Sequence, residues 1–247
     1  MIIKKRLDQV LLERYPHYSR NYIQSLIMQA KVTVNDQIVT KAGTLIKEDA
    51  IIRLDTHEPK YVSRAGFKLE KALAHFNIDM HNKIVLDAGL STGGFTDCLL
   101  QAGAVKIYGI DVGYGQVHEK IRADPRVVVM ERTNLRHLES LPEHVDLVTL
   151  DLSFISVLKV IPAISKVLKP NGQLIILIKP QFEAEKGAVS KGGIIKEPAL
   201  HEKIVNQVIF GVTGQGFTFQ EVIESPILGT EGNKEFLAYF KQFSNKN

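Results

Sequence analysis

Residues 84–97 read IVLDAGLSTGGFTD, an apolar strand ending on Asp87, a turn holding Gly89, Ser91, Gly93 and Gly94, and the polar start of a helix. Glycines at a strand-to-helix turn reach backbone conformations closed to other residues and let a ligand approach, and the helix that follows opens with unpaired N–H groups. The spacing is not the G-x-G-x-x-G turn that seats a pyrophosphate on a helix N-terminus. Three residues separate Gly89 from Gly93, and a carboxylate stands just ahead of the turn. A carboxylate in that place suits a cationic ligand. S-adenosylmethionine carries a sulfonium and an amino group but no phosphate, so the stretch predicts a methyl-donor site. The plainer reading is an ordinary strand-to-helix turn.

Apolar runs at 84–86, 106–110, 127–130, 147–150 and 174–178 alternate with helical stretches. That alternation predicts an α/β fold, a doubly wound, Rossmann-like parallel sheet. Two later runs, 218–223 and 236–240, are separated by a loop alone and are expected to pair antiparallel at one edge. In such a sheet a ligand lies beyond the C-terminal strand ends, so polar residues there carry the most weight. Asp111 follows the second strand, 22 residues after Gly89, where a carboxylate can accept both hydroxyls of an adenosine ribose. Thr133 and Asn134 follow the third strand and are placed to border an adenine. Asp151 ends the fourth strand and Lys179 the fifth. One such residue is commonly a helix cap or a surface ion pair, but four strand ends in succession favour a ligand site. The glycine and lysine loop GAVSKGG at 187–193 reads equally as a lid over substrate and as a surface connection.

The 247 residues suffice for one sizeable domain and a small one, and 45% of them are hydrophobic. No uninterrupted apolar stretch approaches the roughly 20 residues that span a bilayer. The opening MIIKKRLDQVLLERY sets charge inside its apolar stretch and has no small-residue cleavage site, so a cytoplasmic protein is expected. A single cysteine, Cys98, excludes an internal disulfide, and the eight histidines lack metal-ligand spacing, so no metal is expected. Charge is uneven. Residues 1–47 hold eight Lys/Arg against three Asp/Glu, a net of +5, whereas the other 200 hold 23 against 24. A compact cationic module beside a near-neutral domain points to a polyanion, most simply nucleic acid.

That module has its own pattern. Helical stretches at 6–15 and 19–30, with Ser19 placed to cap the second, precede alternating apolar residues around Asn35-Asp36, which predict a β-hairpin. A linker at 56–59 closes it, giving domains at 1–58 and 59–247. The segments KKRLDQVLLER and SRNYIQSLIMQAKVTVND resemble the S4 RNA-binding domain, with Arg6, Asp8, Ser19, Arg20, Leu26, Val32, Val34 and Asn35 at positions the family pattern expects. The family often has glycine where this chain has Ala30 and Asp36. The resemblance implies contacts to RNA backbone and shape, with Lys5, Arg6, Arg20 and Lys31 as the candidate cations.

Across nearly the whole chain the combined pattern resembles the TlyA family, haemolysin-like rRNA methyltransferases in which an S4 domain precedes an FtsJ-type domain. The carriers are YVSRAGFKLEKAL at 61–73, DAGLSTGGFTD at 87–97, ERTNLR at 131–136, DLSFIS at 151–156, KPQFE at 179–183 and EGNKEFL at 231–237. Leu90 stands where the family usually has a small residue. The resemblance implies S-adenosylmethionine as cofactor, ribosomal RNA or ribosomal subunits as partner, and methylation of ribose 2′-hydroxyls by a Lys-Asp-Lys-Glu set matching Lys68, Asp151, Lys179 and Glu235. Glu231 lies close to the last position, but Glu235 directly precedes the final strand. Burial or a neighbouring cation favours the neutral form in which a lysine can take a hydroxyl proton. Lys179 is expected to be that base, with Lys68 as a positioning or charge-stabilising group and the two carboxylates orienting them. A buried salt-bridge cluster without chemistry is the plain alternative.

Other classes fit less well. A base or protein N-methyltransferase would carry an Asn/Asp-Pro-Pro-aromatic turn after the fourth strand, where this chain has Asp151-Leu152-Ser153-Phe154. An RNA-binding or ribosome-binding protein that keeps the methyltransferase fold as an inactive scaffold stays open through Leu90. A lytic, pore-forming activity is opposed by the lack of a spanning helix and of a strongly amphipathic apolar hairpin.

Overall fold

The computed structural model describes residues 4–28, 30–47, 49–55, 59–184, 194, 195, 197–229 and 232–243. It divides into two compact units, Met1–Pro59 and Lys60–Asn247. The loop at 187–193, most of the linker and Glu231 lie outside the described residues.

In the first unit β1 (Lys4–Arg6), α1 (Leu7–Arg14), α2 (Arg20–Met28), β2 (Val32–Val34), β3 (Gln37–Ile38), β4 (Leu45–Lys47) and β5 (Ile52–Leu54) follow in order. Leu7, Val10 and Leu11 on α1 and Ile23, Leu26 and Ile27 on α2 recur at helical spacing and are buried together against Val32 and Ile46. The Ser19 hydroxyl accepts the Tyr22 N–H at 3.2 Å, capping α2. Asn35 and Asp36, at φ 51° and 64°, make the two-residue turn that joins β2 to β3. Ala30 also lies at φ 60°, a conformation that favours glycine.

The second unit runs α3 (Ala65–His75), β6 (Ile84–Ala88), α4 (Gly94–Gln101), β7 (Lys106–Ile110), α5 (Glu119–Arg122), β8 (Val127–Met130), β9 (Val145–Leu150), α6 (Ile161–Val167), β10 (Leu168–Ile178), α7 (Pro180–Glu183), α8 (Pro198–Thr213), β11 (Phe217–Glu224) and β12 (Phe236–Gln242). Seven strands form one sheet in the order β11-β12-β10-β9-β6-β7-β8. Strands β10, β9, β6, β7 and β8 are mutually parallel, while β12 lies antiparallel between β10 and β11. The parallel strands read as continuous apolar runs because both faces are covered. Along β10, Leu174, Ile176 and Ile178 enter the core that includes residues of α6 and α8. Ile175 and Leu177 enter the opposite one, with residues of α3 and α4. Each such side chain, fully buried, contributes about 1.5–3 kcal/mol. The two cores clamp the sheet, and the strand ends carrying Asp111, Asp151 and Lys179 share one edge.

Candidate active site

Beyond Ala88 the chain turns at Gly89, whose φ is 90° and where a Cβ would stand 2.2 Å from the Asp151 carbonyl oxygen. Only a glycine brings this turn against the end of β9. At the next strand end the Asp111 carboxylate accepts the Ser91 N–H and the Gly113 N–H, each at 2.7 Å. One bond on each oxygen fixes the group and leaves acceptor capacity on both. Asn134 ends the loop after β8 and caps the short helical turn that follows it, accepting the Arg136 N–H at 3.1 Å. Gly89, Ser91, Asp111, Asn134, Asp151 and Phe154 share the wall of a cavity of about 350 Å³. Its volume, fixed carboxylate and apolar flank of Ile110 and Leu135 fit an adenosine-bearing ligand such as S-adenosylmethionine.

Three of the expected contacts lie off the wall of this larger cavity. Asp87 does not line the cavity: it is fully buried, accepting the Thr96 hydroxyl at 2.6 Å and the Thr149 hydroxyl at 2.9 Å. Burial pushes its carboxyl up to about 6, the two hydroxyls pull it back, and the nearby Asp151 charge adds to the rise. Asp87 therefore braces the turn from below. Gly93, at φ 96°, has its missing Cβ 2.8 Å from Ile121, and that of Gly94 would meet the Ser63 hydroxyl at 2.1 Å. These two glycines admit neighbouring protein, although Gly94 also borders a small cavity of about 80 Å³ with Ser63, Ala65, Ser91 and Asp151.

Leu90, 2% exposed, packs over Gly109, where a Cβ would lie 2.8 Å from the Leu90 Cδ2. Its bulk faces the core that includes residues of α3 and α4. Leu90 is absent from the wall of the larger cavity but borders the small one beside Gly89, Ser91 and Asp151.

The Lys-Asp-Lys-Glu residues form two ion pairs. Lys179 Nζ lies 2.6 Å from Asp151 Oδ1 and donates to the Ser153 hydroxyl at 3.0 Å. Lys68 Nζ donates to Glu235 Oε2 at 2.5 Å, and both groups are buried. Lys68 projects from α3, whereas Glu235 precedes β12. Gly229 leaves room for that carboxylate, since a Cβ there would stand 2.1 Å from Glu235 Oε1.

Two residues of this edge escaped the reading of the sequence. Phe154 is 90% exposed at the cavity rim with a left-handed backbone (φ 64°), its ring 4.9 Å from that of Phe182. Such a conformation costs a bulky residue about 1–3 kcal/mol. Glu183, at the end of α7, accepts the Val157 N–H at 2.8 Å and ties the segment after Lys179 to the segment after Asp151. Burial pushes its carboxyl up, against hydrogen bonds from Ser156 and Val157. Both residues lie in motifs quoted above, but their exposure and partners come from packing.

In the first unit Arg6 donates through Nε and Nη2 to the two oxygens of buried Asp8, each at 3.0 Å. The Arg6 bonds, against the cost of burial and helped by Gln24, hold the Asp8 carboxyl at about 2. Arg6 thus holds Asp8 while its own side chain stays 45% exposed. Lys5 pairs with Glu13 at 3.0 Å. The Arg20 side chain, 3.7 Å from Asp8, is 63% exposed, and Lys31 is half-buried just ahead of β2. Among the described residues no cluster of three or more His, Cys, Asp or Glu is arranged to hold a metal, and no helix is long and apolar enough to cross a membrane.

Residues 61–242 match the FtsJ-like methyltransferase family, and residues 5–52 match the S4 domain. The chain is 45% identical over 238 residues to Hemolysin A of Brachyspira hyodysenteriae, covering 95% of this chain and 99% of that protein. It is 38% identical over 244 residues to the 16S/23S rRNA (cytidine-2′-O)-methyltransferase TlyA of Mycobacterium tuberculosis, covering 98% and 91%. A solved Streptococcus thermophilus structure described as a hemolysin superposes with a TM-score of 0.76 at 37% identity, covering 98% of this chain and 90% of that one.

Proposed function

The chain belongs to the FtsJ-like methyltransferase family and carries an S4 domain, and from that premise we propose that it methylates ribose 2′-hydroxyls of ribosomal RNA with S-adenosylmethionine. The nucleoside expected is cytidine, which the name of the Mycobacterium tuberculosis relative specifies. The observation that carries this reading is the Lys179–Asp151 pair at the edge of a cavity whose Asp111 retains acceptor capacity.

Gly89, Ser91, Asp111 and Asn134 would hold the cofactor, with the Asp111 carboxylate receiving ribose hydroxyls. When bound, the cofactor supplies an activated methyl group on a sulfonium, so the protein's main tasks are alignment and proton removal. Lys179, once the proton it carries beside Asp151 has passed to solvent, takes the proton of the substrate hydroxyl at the neutral Nζ. Asp151 and the Ser153 hydroxyl aim that amine. Lys68, oriented by Glu235, stabilises negative charge on the substrate oxygen. Phe154 offers an exposed ring on which the base of the target nucleotide can stack.

The test is transfer of labelled methyl from S-adenosylmethionine to purified ribosomal subunits and to naked rRNA, comparing wild type with Lys179→Ala, then nuclease mapping of the label. The expected result is label on a ribose 2′-oxygen that the variant loses. Label on a base keeps the methyltransferase class and rejects the ribose chemistry. No transfer, with RNA binding intact, returns the chain to the inactive-scaffold reading.

A further inference from the structure

The connection from α1 to α2 and the first turn of α2 pack four aromatic rings into eight residues: Tyr15, His17, Tyr18 and Tyr22. The His17 and Tyr18 centroids are 4.1 Å apart and those of Tyr18 and Tyr22 are 4.9 Å apart, so the three make one continuous ridge. Tyr15 flanks it, 6.3 Å from both His17 and Tyr18. The rings have different surroundings. Tyr15 and Tyr18 pack against the unit's apolar core, whereas His17 is exposed and Tyr22 is 39% exposed. Two rings that lean on the third at 51° and 44° and stay exposed gain less from burial than core rings do.

The charge beside the ridge indicates what covers it. Arg20 lies between Tyr18 and Tyr22 in the chain, and its side chain is largely exposed although Asp8 is 3.7 Å away. Residues 1–47 carry a net charge of +5. Planar faces next to a guanidinium complement an unpaired nucleotide, whose base stacks on a ring while its phosphate meets the cation. In an uninterrupted duplex the base faces are occupied by their neighbours, leaving only the phosphates.

Resting on the reading that this unit binds RNA, we propose that the His17–Tyr18–Tyr22 ridge is a stacking site for unpaired nucleobases. Through it the first unit favours loops and bulges over continuous helix. Stacking and phosphate neutralisation separate experimentally, because counterion release makes the second steeply salt-dependent and leaves the first nearly unaffected.

The test measures binding of the full chain to a labelled RNA hairpin with an unpaired loop and to a fully paired duplex of equal length, over a salt series. Wild type is expected to prefer the hairpin. The double variant His17→Ala/Tyr22→Ala should lose roughly 10- to 100-fold on the hairpin, with an unchanged salt slope and unchanged duplex affinity. Tyr22→Phe should keep wild-type binding because it keeps the ring. Arg20→Ala should weaken both RNAs and reduce the slope by about 1. The double variant binding the hairpin like wild type, or losing hairpin and duplex equally, overturns the stacking site. Wild type binding neither RNA overturns the premise of RNA binding, and the ridge's role with it.

Discussion

Lys179 and Glu235 stand opposite one another at facing strand ends, one step beyond the Ile178–Phe236 pair, yet neither is the other's counter-ion. Lys179 is paired with Asp151 and Glu235 with Lys68. Each amine therefore has a carboxylate of its own, and the Glu235 negative charge is matched from a helix rather than from the neighbouring strand.

This division predicts unequal costs for single and double changes. Lys68→Ala leaves Glu235 charged, buried and unpaired, and should destabilise the protein by about 3–5 kcal/mol. Lys68→Met combined with Glu235→Leu removes both charges and should cost less than the single change. Urea denaturation of the three proteins decides it. A double variant at least as unstable as Lys68→Ala would show that the pair's value is not electrostatic.

Cofactor affinity should depend on Asp111 and not on Lys179. Losing charged hydrogen bonds worth about 1.5–3 kcal/mol predicts that Asp111→Ala binds S-adenosylmethionine roughly 10- to 100-fold more weakly by calorimetry. Lys179→Ala should keep its affinity while losing about 10²–10⁴-fold in turnover. Equal losses of affinity in both variants would mean that the two residues do not divide binding from proton transfer.

Asp87 gives the protein a pH-dependent weakness. Its carboxyl holds a proton up to about pH 6 when folded, against a reference value of 3.8. Its contribution to stability is complete below 3.8 and is lost as pH rises through 6. Asp87→Asn has no such proton to lose. Denaturation at about pH 5 and about pH 7.5 should therefore find the variant gaining on wild type at the higher pH. Parallel behaviour of the two proteins at both pH values would contradict the assignment.

Two left-handed residues of the first unit invite stabilisation. Ala30 and Asp36 lie at φ 60° and 64°. Replacing each by glycine relieves about 1–2 kcal/mol of backbone strain against about 0.5–1 kcal/mol of added chain entropy. Each change should raise stability by about 0.5–1 kcal/mol, read as a higher melting temperature of the full chain. A fall at both positions would mean that their side chains contribute more than the conformation costs.

The five parallel strands were legible because residues buried on both faces leave unbroken apolar runs, and the later two because only a loop parts them. Strand ends then located Asp111, Asn134, Asp151 and Lys179, since the topology puts each just past a strand. What a side chain faces inside a loop was not legible. Asp87, Gly93 and Gly94 read as ligand contacts because their spacing is that of a binding turn, but Thr149, Ile121 and Ser63 reach them from distant parts of the chain, and nearby Thr96 turns back onto Asp87. The exposure of Phe154 also depends on packing, and even the Arg6–Asp8 contact, two residues apart, depends on the turn into α1. A local pattern names the atoms present without naming their neighbours.

The position of β12 governs the order in which the sheet can be completed. It is the last described strand along the chain, yet it lies inside the sheet between β10 and β11, and the Glu235 that precedes it meets Lys68 across 167 positions of sequence. While the polypeptide is being made, Lys68 emerges long before its partner, and β10 waits with one side bare. The nascent chain can assemble the turn after β6 early, but Lys68 acquires its carboxylate partner only after β10 and β11 have been made. Order of synthesis thus makes the Lys68–Glu235 pair a late arrival relative to the strands on either side of β12.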